Sequence, residues 1–118
     1  MGTFSTKVDI GTPGGERFVS IEAIVDTGAS YSLFPRRTLE QLGIRPIDQD
    51  EFTLADGRKV KRDVAVASVR LDGRVRSTVC VVGDEGTKPL LGAITLEAFG
   101  LAADPVNRRL VKAPLYLL

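Results

Sequence analysis

The sequence predicts a mostly β domain with one or two short helices. Short runs rich in Val, Ile, Phe and Thr recur between Gly and Pro punctuation, and two Asp-Gly dipeptides lie between such runs. Only two stretches have a spacing that suits a helix. The 118 residues fit one domain, spanning residues 1–118 without repeats or a linker, and leave no room for a two-lobed enzyme.

Phe4, Thr6, Val8 and Ile10 alternate as a first strand does, although Met1-Gly2 followed by Thr6 also fits the loose pattern for N-terminal acylation. Gly11-Thr12-Pro13-Gly14-Gly15 is a turn cluster, and Phe18 to Val25 is a second strand that stops at Asp26-Thr27-Gly28. A short apolar step follows from Tyr31 to Phe34. Pro35 suits a first helical turn, Leu39 and Leu42 share one face, and Gly43 is a natural left-handed terminator, so residues 35–42 form a helix. Phe52 to Leu54 and Lys59 to Val60 flank Ala55-Asp56-Gly57-Arg58, and Asp-Gly there predicts a projecting hairpin with a two-residue turn.

A long strand continues from Val64 to Leu71, and Asp72-Gly73 turns it into another from Val75 to Val82. Gly83 to Lys88 is a polar loop, after which Pro89-Leu90-Leu91 is a short strand halted at Gly92. Ala93 to Phe99, closed by Gly100, has the apolar spacing of a short packed helix. Leu101 to Ala103, a turn over Asp104 to Asn107, Leu110-Val111 and the terminal Leu115 to Leu118 complete the β elements.

Composition narrows the chemistry. Sixteen basic and fifteen acidic residues, spread along the chain, give a net charge of +1 and no electrostatic footprint for nucleic acid. The chain has no His, which removes Ser-His-Asp and Cys-His catalysis and His-based zinc sites, and leaves carboxylates as the available acid and base. A lone Cys80 cannot form an internal disulfide and, among Val79, Val81 and Val82, is expected to be buried and inert. No apolar run reaches the ~20 residues of a membrane span, and Met1 to Thr6 contain no signal-peptide core, so the expectation is a cytoplasmic protein or a domain of a longer one, without membrane insertion. Asp84-Glu85 matches no cation loop and is read as solvated; Arg36-Arg37 and Arg108-Arg109 are read as exposed charges.

The informative segment is Ala23-Ile24-Val25-Asp26-Thr27-Gly28-Ala29-Ser30, where an acidic residue ends an apolar strand. A buried carboxylate is costly without a partner. Asp-Thr-Gly arises by chance in roughly a few per cent of chains this long, so its flanks and ordered companions carry the weight. Those companions are the Asp56-Gly57 hairpin and Leu90-Leu91-Gly92 followed by a short helix.

With these three elements in this order, the chain resembles the retropepsin-like aspartic proteases, small dimeric relatives of pepsin, over nearly its whole length. The resemblance implies a closed β-barrel of the acid protease fold, acting as a homodimer on a polypeptide in extended conformation, with no metal and no cofactor. It implies that Asp26 is catalytic. Thr27, Gly28, Ala29 and Ser30 would complete the active-site loop, with Thr27 bonding across the two-fold axis. Ala55, Asp56, Gly57 and Arg58 would form the flap over substrate, Leu90, Leu91 and Gly92 would brace the loop, and Leu115 to Leu118 would be an interface strand.

Such chemistry needs two carboxylates sharing one proton, and the chain has a single Asp-Thr-Gly, so Asp26 must meet a symmetry mate. Retroviral members commonly carry Asp where this chain has Ser30 and Arg where it has Ala93, which likens it more to cellular or bacterial members. The alternative to an endopeptidase is a catalytically silent module of the same fold for dimerisation or ligand binding, since fold does not fix function.

Overall fold

The computed structural model describes residues 3–118; Met1 and Gly2, and with them the acylation pattern, lie outside the described residues. The elements are β1 (Phe4–Gly11), β2 (Phe18–Val25), β3 (Ser32–Pro35), α1 (Arg36–Gln41), β4 (Asp48–Thr53), β5 (Lys59–Leu71), β6 (Arg74–Gly83), β7 (Leu90–Leu91), α2 (Ala93–Ala98), β8 (Leu101–Asp104) and β9 (Arg109–Lys112).

The principal sheet runs β1-β2-β7-β3-β6-β5-β4, and β1 pairs again with β5. That second pairing matches Asp9 with Arg70, Ile10 with Val69 and Gly11 with Ser68, so six strands close into a ring. Strand β5 is long enough to serve both purposes: residues from Lys59 to Val64 pair with β4, while Ser68 to Arg70 pair with β1. The core inside the ring includes Val8, Ile10, Phe34, Ala65, Ala67, Val69, Cys80 and Leu91, each at most 2% exposed. Leu39 from α1, Leu96 from α2 and Phe99 just after α2 plug it. Strands β8 and β9 form a separate hairpin. No helix among the described residues is long and apolar enough to cross a membrane.

Local sequence explains most boundaries. Pro35 caps α1 in extended conformation, Gly43 takes φ +71° just past its end, and Gly100 at φ +64° does the same for α2. Asp72 and Gly73 both have positive φ, 55° and 73°, the requirement of the two-residue hairpin turn that joins Leu71 to Arg74.

The other Asp-Gly behaves differently from expectation. Leu54 N–H donates to the Arg58 carbonyl at 2.7 Å and Gly57 N–H to the Leu54 carbonyl at 2.9 Å, while Gly57 alone has positive φ. This is a three-residue loop with a bulge at Gly57, because the Asp56 carboxylate binds Arg58 N–H at 3.0 Å and Arg58 Nε at 2.7 Å, which holds Asp56 out of the left-handed region. Strand β4 also begins earlier than its apolar residues, at Asp48. Its polar start is held by ladder bonds to β5 rather than by burial.

The expected strand from Leu115 to Leu118 is absent. Ala113 N–H still donates to the Gly100 carbonyl at 2.8 Å, but beyond it the chain has no neighbouring strand to pair with. Arg36, expected as an exposed charge, is half-buried and reaches Asp63 Oδ2 at 3.3 Å. Cys80 is fully buried, and desolvation pushes its thiol up to about 12, so it stays protonated and unreactive as anticipated.

Candidate active site

Strand β2 delivers Asp26 to the end of the barrel and β7 holds it there. Ile24 pairs in parallel with Leu90 and Val25 with Leu91, and Asp26 N–H donates to the Leu91 carbonyl at 2.9 Å. The chain then turns sharply: Ala29 N–H bonds the Asp26 carbonyl at 3.2 Å, and Gly28 N–H donates to Asp26 Oδ1 at 3.0 Å. One carboxylate oxygen is thereby fixed by the loop's own backbone. Asp26 is half-buried, and Thr27, Gly28 and Ser30 are exposed. A Cβ on Gly28 would stand 3.2 Å from Asp26 Oδ1, so the glycine keeps the carboxylate's bond to its own loop uncrowded.

The loop is braced from behind by Gly92, where a Cβ would lie 2.5 Å from both the carbonyl carbon and oxygen of Tyr31. Only glycine permits that approach. The adjacent N-terminus of α2 binds the loop backbone, with Ala93 N–H to the Ala29 carbonyl at 2.8 Å and Ile94 N–H to the Ser30 carbonyl at 3.0 Å.

Beneath it lies a chain of buried hydroxyls. Gly92 N–H donates to Ser32 Oγ at 3.0 Å, Ser32 Oγ meets Thr95 Oγ1 at 2.6 Å, and Thr95 Oγ1 meets Thr78 Oγ1 at 2.9 Å. Thr78 Oγ1 donates to the Val79 carbonyl at 3.2 Å, so every hydroxyl can donate once along a single direction. Of the expected braces, Leu91 accepts from Asp26 N–H, Gly92 packs on the Tyr31 carbonyl, and Leu90 pairs with Ile24. Ser32, Thr78 and Thr95 had no signal of their own beyond polar residues inside apolar runs.

Beside the loop opens a cleft of about 830 Å³, walled by the loop itself, by Leu33 and Leu90, and by residues of β4 and β5. Tyr31 and Phe52 meet edge to face across it, with ring centroids 5.5 Å apart and planes at 74°. Phe52, Leu54 and Val60 from the hairpin line the cleft. The tip residues Ala55, Asp56, Gly57 and Arg58 are all exposed and lie beyond it, so the hairpin touches the cleft through its base. The alternation of Phe52 and Leu54 was the available signal for these contacts. Against the other side of the loop, Asp26 and Thr27 border a smaller hollow of about 280 Å³, shared with Phe4, Ala103 and Pro105.

A half-buried carboxylate fixed through one oxygen, on a rigid loop beside an apolar cleft, is equipped for proton transfer to or from a bound substrate. The family model described as "Aspartyl protease" matches residues 7–94. Among solved structures, the chain is similar to the EIAV protease complexed with the inhibitor HBY-793, with a TM-score of 0.61 and 20% identity over 96% of this chain and 91% of that one. It is also similar to the solution structure of simian foamy virus (mac) protease, with a TM-score of 0.53 and 20% identity over 78% of this chain and 92% of that one. At this identity the likeness is one of fold, and it establishes the retropepsin-like architecture. No curated protein sequence matches the chain.

Proposed function

This chain belongs to the aspartyl protease family, and on that premise we propose that it is a homodimeric aspartic endopeptidase whose catalytic pair is Asp26 and its symmetry mate. The reading is carried by Asp26, a single carboxylate held through Oδ1 by Gly28 N–H on a loop whose Thr27 and Gly28 are exposed. One such group supplies half of the required chemistry. Two like charges at close range cannot both ionise, so the pair retains one proton.

The ionised member removes a proton from a water as its oxygen bonds to the scissile carbonyl carbon, while the protonated member donates to the carbonyl oxygen. The resulting diol collapses: one hydroxyl proton returns to a carboxylate, the amide nitrogen takes the other carboxyl's proton, and the C–N bond breaks to leave an acid and an amine. Thr27 would bond across the axis to the opposite loop. The hairpin around Ala55 to Arg58 would lie over an extended substrate and contribute backbone hydrogen bonds, as lids do.

Replacing Asp26 by Asn keeps the size and the bond from Gly28 but removes the base. Cleavage of a peptide library should fall by roughly a thousandfold with dimerisation and folding intact. Full activity in that variant would overturn the assignment. A wild-type chain that dimerises yet cleaves nothing would be the silent module of the same fold.

A further inference from the structure

The cleft beside the Asp26 loop has an apolar wall, to which Tyr31, Leu33, Phe52 and Leu90 contribute, and a charged margin supplied by the β4–β5 hairpin. Strand β4 turns Asp50 and Phe52 inward, half-buried, while Glu51 and Thr53 are exposed and reach only the rim of the cleft. In the ladder Phe52 faces Val60 and Asp50 faces Arg62. The cross-strand partnership that would neutralise Asp50 is not made. Arg62 turns instead to the loop after β6, with Nε 3.7 Å from Asp84 Oδ2 and Nη1 donating to the Lys61 carbonyl at 2.9 Å. Among the described residues no ion pair reaches Asp50.

We propose that Asp50 selects a cationic side chain, Lys or Arg, in the substrate, next to a large apolar side chain packed on Tyr31 and Phe52. The proposal rests on the endopeptidase reading and gives it a substrate class. Same-face positions on β4 are about 6.6 Å apart, the separation of alternate side chains in an extended peptide. The cation therefore belongs two residues from the apolar side chain. Because a two-fold dimer repeats the cleft, the same preference applies on both sides of the scissile bond. Arg62 borders the same cleft and faces Asp50 across the ladder, so its charge opposes a bound cation and keeps the preference small; its guanidinium is turned towards Asp84, which leaves the Asp50 end the more negative.

The test compares matched peptides that differ only in Lys or Glu two residues from a Phe or Leu. Wild type should favour Lys about two- to fivefold in kcat/KM, the size expected of a partly exposed charge pair, and the preference should shrink in high salt. Asp50→Asn should bring the ratio close to one, Asp50→Lys should reverse it towards Glu, and Asp50→Glu should retain it. Each ratio is internal to one variant, so partial unfolding does not alter it. The same peptides bound to the Asp26→Asn chain, followed by fluorescence anisotropy, should show the same order of affinities. Cleavage or binding without a Lys preference, or a preference unmoved in Asp50→Lys, overturns this inference and leaves the endopeptidase standing. Failure of wild type to cleave any peptide, with the Lys preference kept in binding, overturns the endopeptidase and leaves the Asp50 subsite.

Discussion

Thr95 lies 63 residues from Ser32 in sequence, yet their hydroxyl oxygens are 2.6 Å apart beneath the Asp26 loop. Thr95 is fully buried and joins Ser32 to Thr78. Removing its hydroxyl without changing its shape leaves the Ser32 hydroxyl without its acceptor and the Thr78 hydroxyl without its donor, each with a single bond remaining. Thr95→Val should therefore cost about 1–3 kcal/mol, measured as a lower midpoint of urea unfolding, and Thr95→Ser should recover most of it. An unchanged midpoint would mean that the neighbours find other partners. The contrast with Gly92 explains what could be read beforehand. A glycine after two leucines is a visible interruption of an apolar strand, and its reason, a Cβ 2.5 Å from Tyr31, is steric and local to one motif. Asp26 was legible for a similar reason, as a charge ending an apolar run. A hydroxyl triad assembled from two strands and a helix leaves no pattern in any of them, because a single Ser or Thr is unremarkable in either kind of element.

At the scale of elements, the ring closes where β1 meets β5, and a polar cluster spans that seam. Asp9 on β1 sits opposite Ser20 on β2 and opposite Arg70 on β5. Its carboxylate accepts from Ser20 Oγ and, at 2.9 Å, from Arg70, whose guanidinium lies 4.1 Å from the centre of the Phe18 ring. The Ser20 hydrogen bond and then the Arg70 pairing hold the Asp9 carboxyl below its ordinary range. A carboxyl lowered on folding contributes stability that is complete above its unfolded pKa and is lost as pH falls through the folded one. Asp9→Asn should thus lower Tm near neutral pH by an amount on the order of 4 °C, equivalent to about 1 kcal/mol at this chain length. The gap from wild type should narrow in acid, below the ordinary carboxylate range. A gap constant with pH would show that the seam does not depend on this charge. The seam was not legible in the sequence, since closure depends on β5 being long enough to pair twice. The hairpins were partly legible: Asp72-Gly73 adopts the turn its residues favour, whereas Asp56 spends its carboxylate on Arg58 and a bulge results.

For the whole molecule, the proposed dimer accounts for surface that the single chain leaves uncovered. Leu115, Tyr116, Leu117 and Leu118 are between 71% and 127% exposed and pair with nothing. Apolar residues displayed in a row are a hazard on a monomer and an asset at an interface. The resemblance places a strand here, and a strand needs a neighbour for its backbone groups, which a second copy would supply in the proposed dimer. Beyond the bond from Ala113 N–H to the Gly100 carbonyl, Leu115 to Leu118 contribute nothing to the buried core, so deleting residues 115–118 removes no core side chain. Such a truncation should keep the circular dichroism of the full chain, sediment as a monomer at concentrations where the full chain is dimeric, and lose cleavage because each Asp26 then lacks its mate. In the full chain, specific activity should rise with protein concentration, reach half its maximum near the dissociation constant found by sedimentation and level off well above it. A truncated monomer that cleaves peptides at a rate independent of concentration would place the whole catalytic apparatus within one chain, and the pairing of Asp26 across a two-fold axis would have to be abandoned.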